Sequence, residues 1–167
     1  MAGTSYPENR PLVIDILRGL SPSSILDCGC GSGHYGKLIR DEFPGVRLDG
    51  IEIFEDYRNN EWFYYDKVTI GNILDGVPGG YDVYMFVDIL EHLPRIDALI
   101  MLAEIPGDVL AVIPVDYAQG PVDGNPWQEH ISEWSVNDFI GWECTTVTHW
   151  GTQFIIAVRR SNASQEG

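Results

Sequence analysis

The chain has 167 residues, of which 44% are hydrophobic and 21% are charged, and its formal net charge is −15 at pH 7. These values are typical of one globular domain, and no apolar run approaches the roughly 20 residues that cross a bilayer. A surface with this much negative charge repels a phosphate backbone. We therefore expect neither a nucleic acid nor a membrane as partner.

The termini and the cysteines suggest where such a protein would reside. The first ten residues, MAGTSYPENR, lack the apolar segment of a secretion signal. Three cysteines, two of them at Cys28 and Cys30, do not suggest a disulfide framework. We therefore expect a cytoplasmic protein with one domain over residues 1–160 and a disordered polar tail over residues 161–167.

The predicted elements alternate between helices and strands along most of the chain. Apolar spacing predicts helices over residues 7–20, 34–43, 91–105 and 132–142. Short apolar runs predict seven strands, over residues 24–29, 46–53, 67–71, 81–90, 108–115, 143–151 and 152–160. Residues 54–66 leave room for only a short helix, and residues 116–132 form a long loop rich in glycine and proline.

This order of elements predicts an α/β sandwich of the Rossmann-like type. The sheet has seven strands, is mostly parallel, and closes with an antiparallel hairpin at the C-terminus. In such sheets ligands bind at the carboxyl ends of the strands, where the first strand-to-helix turn commonly forms part of the site.

That first turn is rich in glycine. Residues 25–36 read ILDCGCGSGHYG, with glycines at 29, 31, 33 and 36. Gly31, Gly33 and Gly36 match the spacing of the dinucleotide-binding fingerprint. Asp27 opposes that interpretation, because its charge would repel an incoming pyrophosphate. The sulfonium and ammonium groups of S-adenosylmethionine (SAM) are cationic and suit an acid at this position.

The stretch ILDCGCGSG resembles motif I of the class I SAM-dependent methyltransferases, and the resemblance extends over nearly the whole chain. Glu52 ends the second predicted strand, where the family has an acid that holds both ribose hydroxyls. Asn72 stands where the family usually has an aspartate that receives the adenine amino group. Residues 87–92, VDILEH, match the D-V-L-E-H segment that follows the fourth strand.

The resemblance implies the class I fold over residues 1–160, with SAM as cofactor and S-adenosylhomocysteine (SAH) as product. The residues that it assigns to the cofactor are Asp27, Gly29, Cys30, Gly31, Gly33, Glu52, Ile53, Asn72, Ile73, Val87 and Asp88.

A second unusual stretch, GNPWQEHISEW at residues 124–134, lies in the long loop. It is similar to a segment of some small methyltransferases that share D-x-L-E-H and G-N-x-x-E-x-H-x-S-x-W. Methyl transfer to a hydroxyl needs a base, and His92 and His130 are candidates because imidazole titrates near neutral pH. Glu91 and Glu129 could orient them. A capping or packing role for His92, at the start of the predicted helix, is the alternative.

A divalent metal is not expected, although Asp88, Glu91 and His92 could bind one that lowers the pKa of an acceptor hydroxyl. The expected acceptor is a small molecule or a glycan, which could stack on Trp127 or Trp134, and Trp134 fits a core position equally well.

Two other functions compete with methyl transfer. One is a SAM- or SAH-binding partner subunit without catalysis. The other is an NAD(P)-dependent oxidoreductase, which the missing Tyr-x-x-x-Lys pair disfavours. Only residues 1–12 and the loop at residues 114–131 could cover the site, so the acceptor is large or a partner subunit, for example in a homodimer, completes the pocket.

Overall fold

The computed structural model describes residues 6–122 and 124–161. Seven strands form one sheet: β1 (Ser24–Cys28), β2 (Arg47–Glu52), β3 (Lys67–Ile70), β4 (Val83–Val87), β5 (Asp108–Val115), β6 (Glu143–His149) and β7 (Thr152–Arg159). Their order is β3-β2-β1-β4-β5-β7-β6. The first five strands run parallel, and β7 is antiparallel to both of its neighbours. The predicted sheet with its C-terminal hairpin is confirmed.

Three α-helices cover this sheet in the described residues: α1 (Arg10–Leu20), α2 (His34–Glu42) and α3 (Arg95–Glu104). Apolar side chains of α1 and α2 form one core cluster with one face of the sheet, and those of α3 form a second cluster with the other face. Strand β4 is buried along its whole length because it lies in the middle of the sheet with both faces covered. This arrangement leaves the carboxyl ends of the parallel strands as the open edge.

Two predicted helices are wrong in extent or type. The helix predicted over 91–105 begins only at Arg95, since Pro94 disfavours helical backbone at Leu93 (φ −106°, ψ 149°). His92 therefore ends a 3₁₀ turn (Leu90–His92) and does not begin a helix. The helix predicted over 132–142 is one 3₁₀ turn (Val136–Phe139), which Ser135 and Asp138 cap reciprocally.

The segment between β2 and β3, where the sequence leaves room for only a short helix, contains two 3₁₀ turns, Glu55–Tyr57 and Asn60–Tyr64. At the other end of the chain, the amide of Ser161 donates a hydrogen bond to Asp108 (2.6 Å), and the rest of the predicted tail lies outside the described residues. Within the described ranges, none of the α-helices has the length and apolar character needed to cross a lipid bilayer.

Candidate active site

A cavity of about 530 Å³ opens at the carboxyl ends of the parallel strands. This volume lies in the range of small-molecule sites, and the position is where open α/β sheets bind their ligands. Its walls include most of the site residues that the sequence suggests: Asp27, Gly29, Cys30, Gly31, Glu52, Ile53, Asn72, Ile73, Val87, Asp88, His92, Glu129 and His130. Gly33 is not among the lining residues and lies behind them as the N-cap of α2.

The glycines of the first turn serve the packing of the chain itself. Gly29 has a φ of +82°, and a Cβ added there would lie 2.1 Å from Cδ1 of Ile89. Gly33 has a φ of +92°, and its Cβ would lie 3.1 Å from Trp62. A side chain at position 29 is therefore disfavoured by the left-handed backbone and by the side chain of Ile89, in the turn that follows β4.

Glu52, at the end of β2, holds the glycine turn in place. Its side chain is buried, and its two oxygens accept hydrogen bonds from the amides of Gly31 and Phe54, each at 2.8 Å. Burial raises the pKa of Glu52, and these amides act against that rise. Each carboxylate oxygen keeps a second acceptor site, so Glu52 can support the turn and still bind hydroxyl groups.

Asp27 is also buried and also has a partner. The Tyr65 hydroxyl donates to its Oδ2 at 2.6 Å. Burial raises the pKa of Asp27 to about 6, the Tyr65 hydroxyl lowers it, and the neighbouring Glu52 raises it. A cation in the cavity would stabilise the ionised form of Asp27.

Asn72 caps the 3₁₀ turn that follows β3. Its side-chain oxygen accepts a hydrogen bond from the amide of Leu74 at 3.0 Å. Because that oxygen has two acceptor sites, one remains for a ligand, and the assignment of Asn72 to the adenine group stays a prediction.

The carboxylates that follow β4 are in a different state. Asp88 has left-handed backbone (φ 53°), and Glu91 is 1% exposed. Among the described residues, neither side chain has a hydrogen-bond partner of normal geometry. Burial raises the pKa of Asp88 to about 7, with the backbone of Tyr6 acting in the opposite direction, and it raises the pKa of Glu91 well above the usual range.

Two histidines face Glu91 from either side. The Nδ1 atom of His92 lies 3.0 Å from the carbonyl oxygen of Glu129, and that of His130 lies 2.6 Å from the carbonyl oxygen of Tyr117. A carbonyl only accepts, so in both rings Nδ1 carries the hydrogen and Nε2 carries the lone pair. The Nε2 atoms lie 3.8 Å and 3.9 Å from Oε1 of Glu91. Burial lowers the pKa of His92 to about 4 and also lowers that of His130, so burial favours the neutral form of both rings.

The structure redistributes the roles suggested for the other loop residues. The Glu129 side chain is exposed, and its contact with His92 is made by the backbone. Glu91 is the carboxylate that both histidines approach. Trp134 is buried and stacks on Phe139, whereas Trp127 is 49% exposed and lines the cavity.

Hydrogen bonds attach the long loop to the rest of the site. The amides of Ile131 and Ser132 both donate to the carbonyl oxygen of Glu91, at 2.9 Å and 3.1 Å. The Asn125 side chain donates to the Tyr57 hydroxyl at 2.8 Å. Sequence reasoning missed Tyr57 and Tyr117, because single tyrosines outside any motif give no spacing signal.

The charge of the cavity wall is one-sided. Four acidic side chains line it, Asp27, Glu52, Asp88 and Glu91, and no lysine or arginine is among its described lining residues. Such a wall favours cationic ligands and disfavours a pyrophosphate.

Comparisons with known proteins found relatives and solved structures, but no family model matches the chain. Ubiquinone biosynthesis O-methyltransferases of Pseudomonas paraeruginosa and Pseudomonas aeruginosa are each 27% identical to it over 90 residues, which is 48% of this chain and 38% of theirs. The match therefore spans less than half the length of these curated relatives.

Solved structures match over most of the chain. The N-terminal domain of EvdMO1, crystallised in the presence of SAH and D-fucose, has a TM-score of 0.66 and 16% identity, and covers 96% of this chain and 85% of its own. The mitomycin 7-O-methyltransferase MmcR has a TM-score of 0.61 and 18% identity, and covers 95% of this chain and 61% of its own. These likenesses confirm the class I SAM-dependent methyltransferase fold that the sequence motifs indicated.

Proposed function

We propose that this chain, which has the class I SAM-dependent methyltransferase fold, transfers a methyl group from SAM to a hydroxyl group of a small molecule or saccharide. The observation that supports this most is the cavity wall, which has four acidic side chains, three of them on buried residues, and no lysine or arginine among its described residues. SAM presents a sulfonium and an ammonium group, and both are cations. NAD(P) would instead bring a pyrophosphate to the same acids.

The cofactor would occupy the half of the cavity formed by the turns after β1, β2 and β3. Glu52 keeps free acceptor sites for the two ribose hydroxyls, and Asn72 keeps one for the adenine amino group. Asp27, buried beside the glycine turn, would compensate the positive charge of the methionine part.

The acceptor would occupy the half formed by the turn after β4 and the long loop. In the reaction the acceptor oxygen attacks the methyl carbon, the C–S bond breaks, and its electron pair passes to sulfur to give neutral SAH. The acceptor hydroxyl must lose its proton, and the unprotonated Nε2 atoms of His92 and His130 lie where a proton could be taken up.

A hydroxyl acceptor also agrees with the names of the similar proteins. The curated relatives are O-methyltransferases of ubiquinone biosynthesis, and the EvdMO1 domain was crystallised with a sugar, D-fucose. In this chain Trp127 and Tyr117 are 49% and 40% exposed and both line the cavity. Aromatic faces in this position suit stacking against a sugar or an aromatic ring.

Titration calorimetry with SAH, SAM and NAD⁺ at matched concentrations is the first test. We expect SAH to bind with one site per chain and NAD⁺ to give no heat. Binding of NAD⁺, or of none of the three, would refute the assignment of the cofactor.

A panel of phenols, catechols and monosaccharides, assayed for SAH release, tests the reaction itself. The His130→Ala variant should lose turnover and keep its SAH affinity. SAH binding without turnover on any acceptor would instead favour a non-catalytic partner subunit.

A further inference from the structure

The cluster formed by Glu91, His92 and His130 contains acceptors without a donor. The two Nε2 atoms carry lone pairs, because both Nδ1 hydrogens are used on backbone carbonyls. Both Nε2 atoms face Oε1 of Glu91, at 3.8 Å and 3.9 Å. These distances are too long for hydrogen bonds, so a proton shared with Glu91 does not link the three groups as they stand.

Burial makes this arrangement costly unless a positive charge occupies it. The Glu91 side chain is 2% exposed and those of both histidines are 10% exposed. Neither Glu91 oxygen has a hydrogen-bond partner within the described part of the chain. Buried carboxylates are normally paired or bound to a metal, and an unpartnered one points to a missing ligand.

The geometry matches what a metal ion requires. One nitrogen or oxygen from each of the three residues lies within 4.8 Å of the others. A cation at about 2.0–2.2 Å from such ligands keeps them roughly 3–3.5 Å apart, which side-chain movements of about 1 Å would achieve. The carbonyls of Glu129 and Tyr117 fix the ring orientation from behind, as outer partners of metal-bound histidines do.

We propose that Glu91, His92 and His130 form a binding site for a divalent first-row transition-metal cation at the acceptor end of the cavity. Two imidazole nitrogens favour Fe²⁺, Co²⁺ or Zn²⁺ over Mg²⁺ and Mn²⁺, which suit oxygen ligands. The sequence suggested Asp88 with Glu91 and His92 as ligands of a metal. The structure brings His130 to this set, from a loop 38 positions further along the chain.

A role for the ion rests on the proposed function. Three protein ligands leave coordination positions open toward the cavity, where an acceptor hydroxyl can bind. Coordination lowers the pKa of that hydroxyl, its proton passes to solvent, and the oxygen attacks the methyl carbon of SAM. The C–S bond breaks with its electron pair retained by sulfur. With a metal bound, both Nε2 lone pairs are used as ligands, so proton uptake by the histidines applies only to the metal-free protein.

Metal binding can be measured without any activity assay. The full chain, freed of metal by a chelator, is titrated with Co²⁺, Zn²⁺, Mn²⁺ and Mg²⁺, and the visible absorption of Co²⁺ reports nitrogen coordination. We expect one Co²⁺ per chain with micromolar or tighter affinity, and at least tenfold weaker binding of Mg²⁺. In the wild-type protein Zn²⁺ should also shift the ¹⁵N resonances of both Nε2 atoms.

Variants identify the ligands. His92→Ala, His130→Ala and the isosteric Glu91→Gln should each weaken Co²⁺ binding at least 100-fold, while SAH affinity changes less than threefold. His34→Ala is the matched control, since His34 lines the same cavity from the start of α2 and bonds Ser32 instead. Absence of Co²⁺ binding in the wild type, or wild-type binding in a His92→Ala/His130→Ala double variant, would overturn the proposal.

The two proposals fail separately. A chain that binds Co²⁺ at this cluster but not SAH keeps the metal site and loses the proposed function. A chain that binds SAH and methylates an acceptor at full rate after metal removal keeps the function and loses the role of the metal.

Discussion

The two halves of the cavity hold their buried acids in opposite ways. On the β1–β2 side, Asp27 bonds the Tyr65 hydroxyl and Glu52 bonds two backbone amides. On the β4–β5 side, Asp88 and Glu91 have no hydrogen-bond partner of normal geometry among the described residues. The first half is built before any ligand arrives, whereas the second half has buried carboxyl oxygens without such a partner in the described part of the chain. Preorganised and unpartnered acids thus lie side by side in one cavity.

The largest loss of stability is expected from a substitution at Gly29, where the two halves of the cavity meet. A Gly29→Ala substitution places its Cβ 2.1 Å from Ile89 and keeps a φ of +82°. Left-handed backbone and overpacking together cost about 3 kcal/mol, which lowers the Tm by about 6–12 °C. Thermal unfolding measures this loss. Gly45→Ala is the control, because its added Cβ would contact nothing within 4 Å. Equal Tm values for the two variants would show that the halves do not meet tightly at Gly29.

On the preorganised β1–β2 side, the Glu52→Gln substitution removes the carboxylate charge. It also replaces one acceptor oxygen by an NH₂ group, which faces a backbone amide that is itself a donor. Hydrogen bonds to charged groups contribute about 1.5–3 kcal/mol, so SAH affinity should fall by about tenfold or more. Calorimetry on Glu52→Gln and on Glu55→Gln, an exposed neighbour, makes the comparison. Unchanged SAH affinity in Glu52→Gln would place the ribose elsewhere.

On the unsatisfied side, Asp88→Asn should stabilise the protein without ligand by about 1–2 kcal/mol at pH 8, since an unpartnered buried charge is removed. Asparagine tolerates the left-handed backbone of Asp88, which has a φ of 53°. Burial raises the pKa of Asp88 to about 7, above its value of 3.8 in the unfolded chain. The contribution of Asp88 to stability is therefore complete below pH 3.8 and is lost as the pH rises to 7.

The gain in Tm from Asp88→Asn should accordingly increase between pH 5 and pH 8. Asp116→Asn is a matched control, because Asp116 has the same φ of 53° but is exposed. A loss of stability in Asp88→Asn at pH 8 would mean that this carboxylate is already compensated within the chain.

The smallest loss of stability is expected when the hydrogen bond from Tyr65 to Asp27 is removed. Tyr65→Phe removes the hydroxyl that donates to Asp27 and should cost about 1 kcal/mol at pH 7, or about 2–4 °C in Tm. The cost should shrink toward pH 5, because this hydroxyl lowers the pKa of Asp27, which is about 6 with it in place. Tyr64→Phe, one residue earlier and only partly buried, is the control. A pH-independent cost would show that the hydroxyl acts by packing alone.

The sequence was informative where a local pattern and a tertiary requirement coincide. Alternation of apolar runs with turns predicted all seven strands, and the glycines at 29 and 33 occupy backbone that other residues rarely adopt. The sequence pattern gave wrong helix bounds where helical periodicity was opposed by a proline or by packing into the core. Pro94 delayed the start of α3, and residues 132–142 have apolar positions that pack into the core from a single 3₁₀ turn.

The meeting of His130 with Glu91 could not be read from spacing. It depends on two amides of the long loop bonding the Glu91 carbonyl and on the Tyr117 carbonyl orienting the ring. Any residue type can make backbone contacts of this kind, so no sequence motif predicts them. The unpartnered state of Glu91 is likewise a property of its surroundings.

The bond from Asn125 to Tyr57 has a kinetic consequence. It joins the long loop after β5 to the turn after β2 at 2.8 Å, and both residues are buried and line the cavity. The two walls are thereby linked across the space between them. We expect a molecule as long as the cavity to exchange with solvent fastest when this link opens, so that the lifetime of a bound product depends on this one side-chain contact.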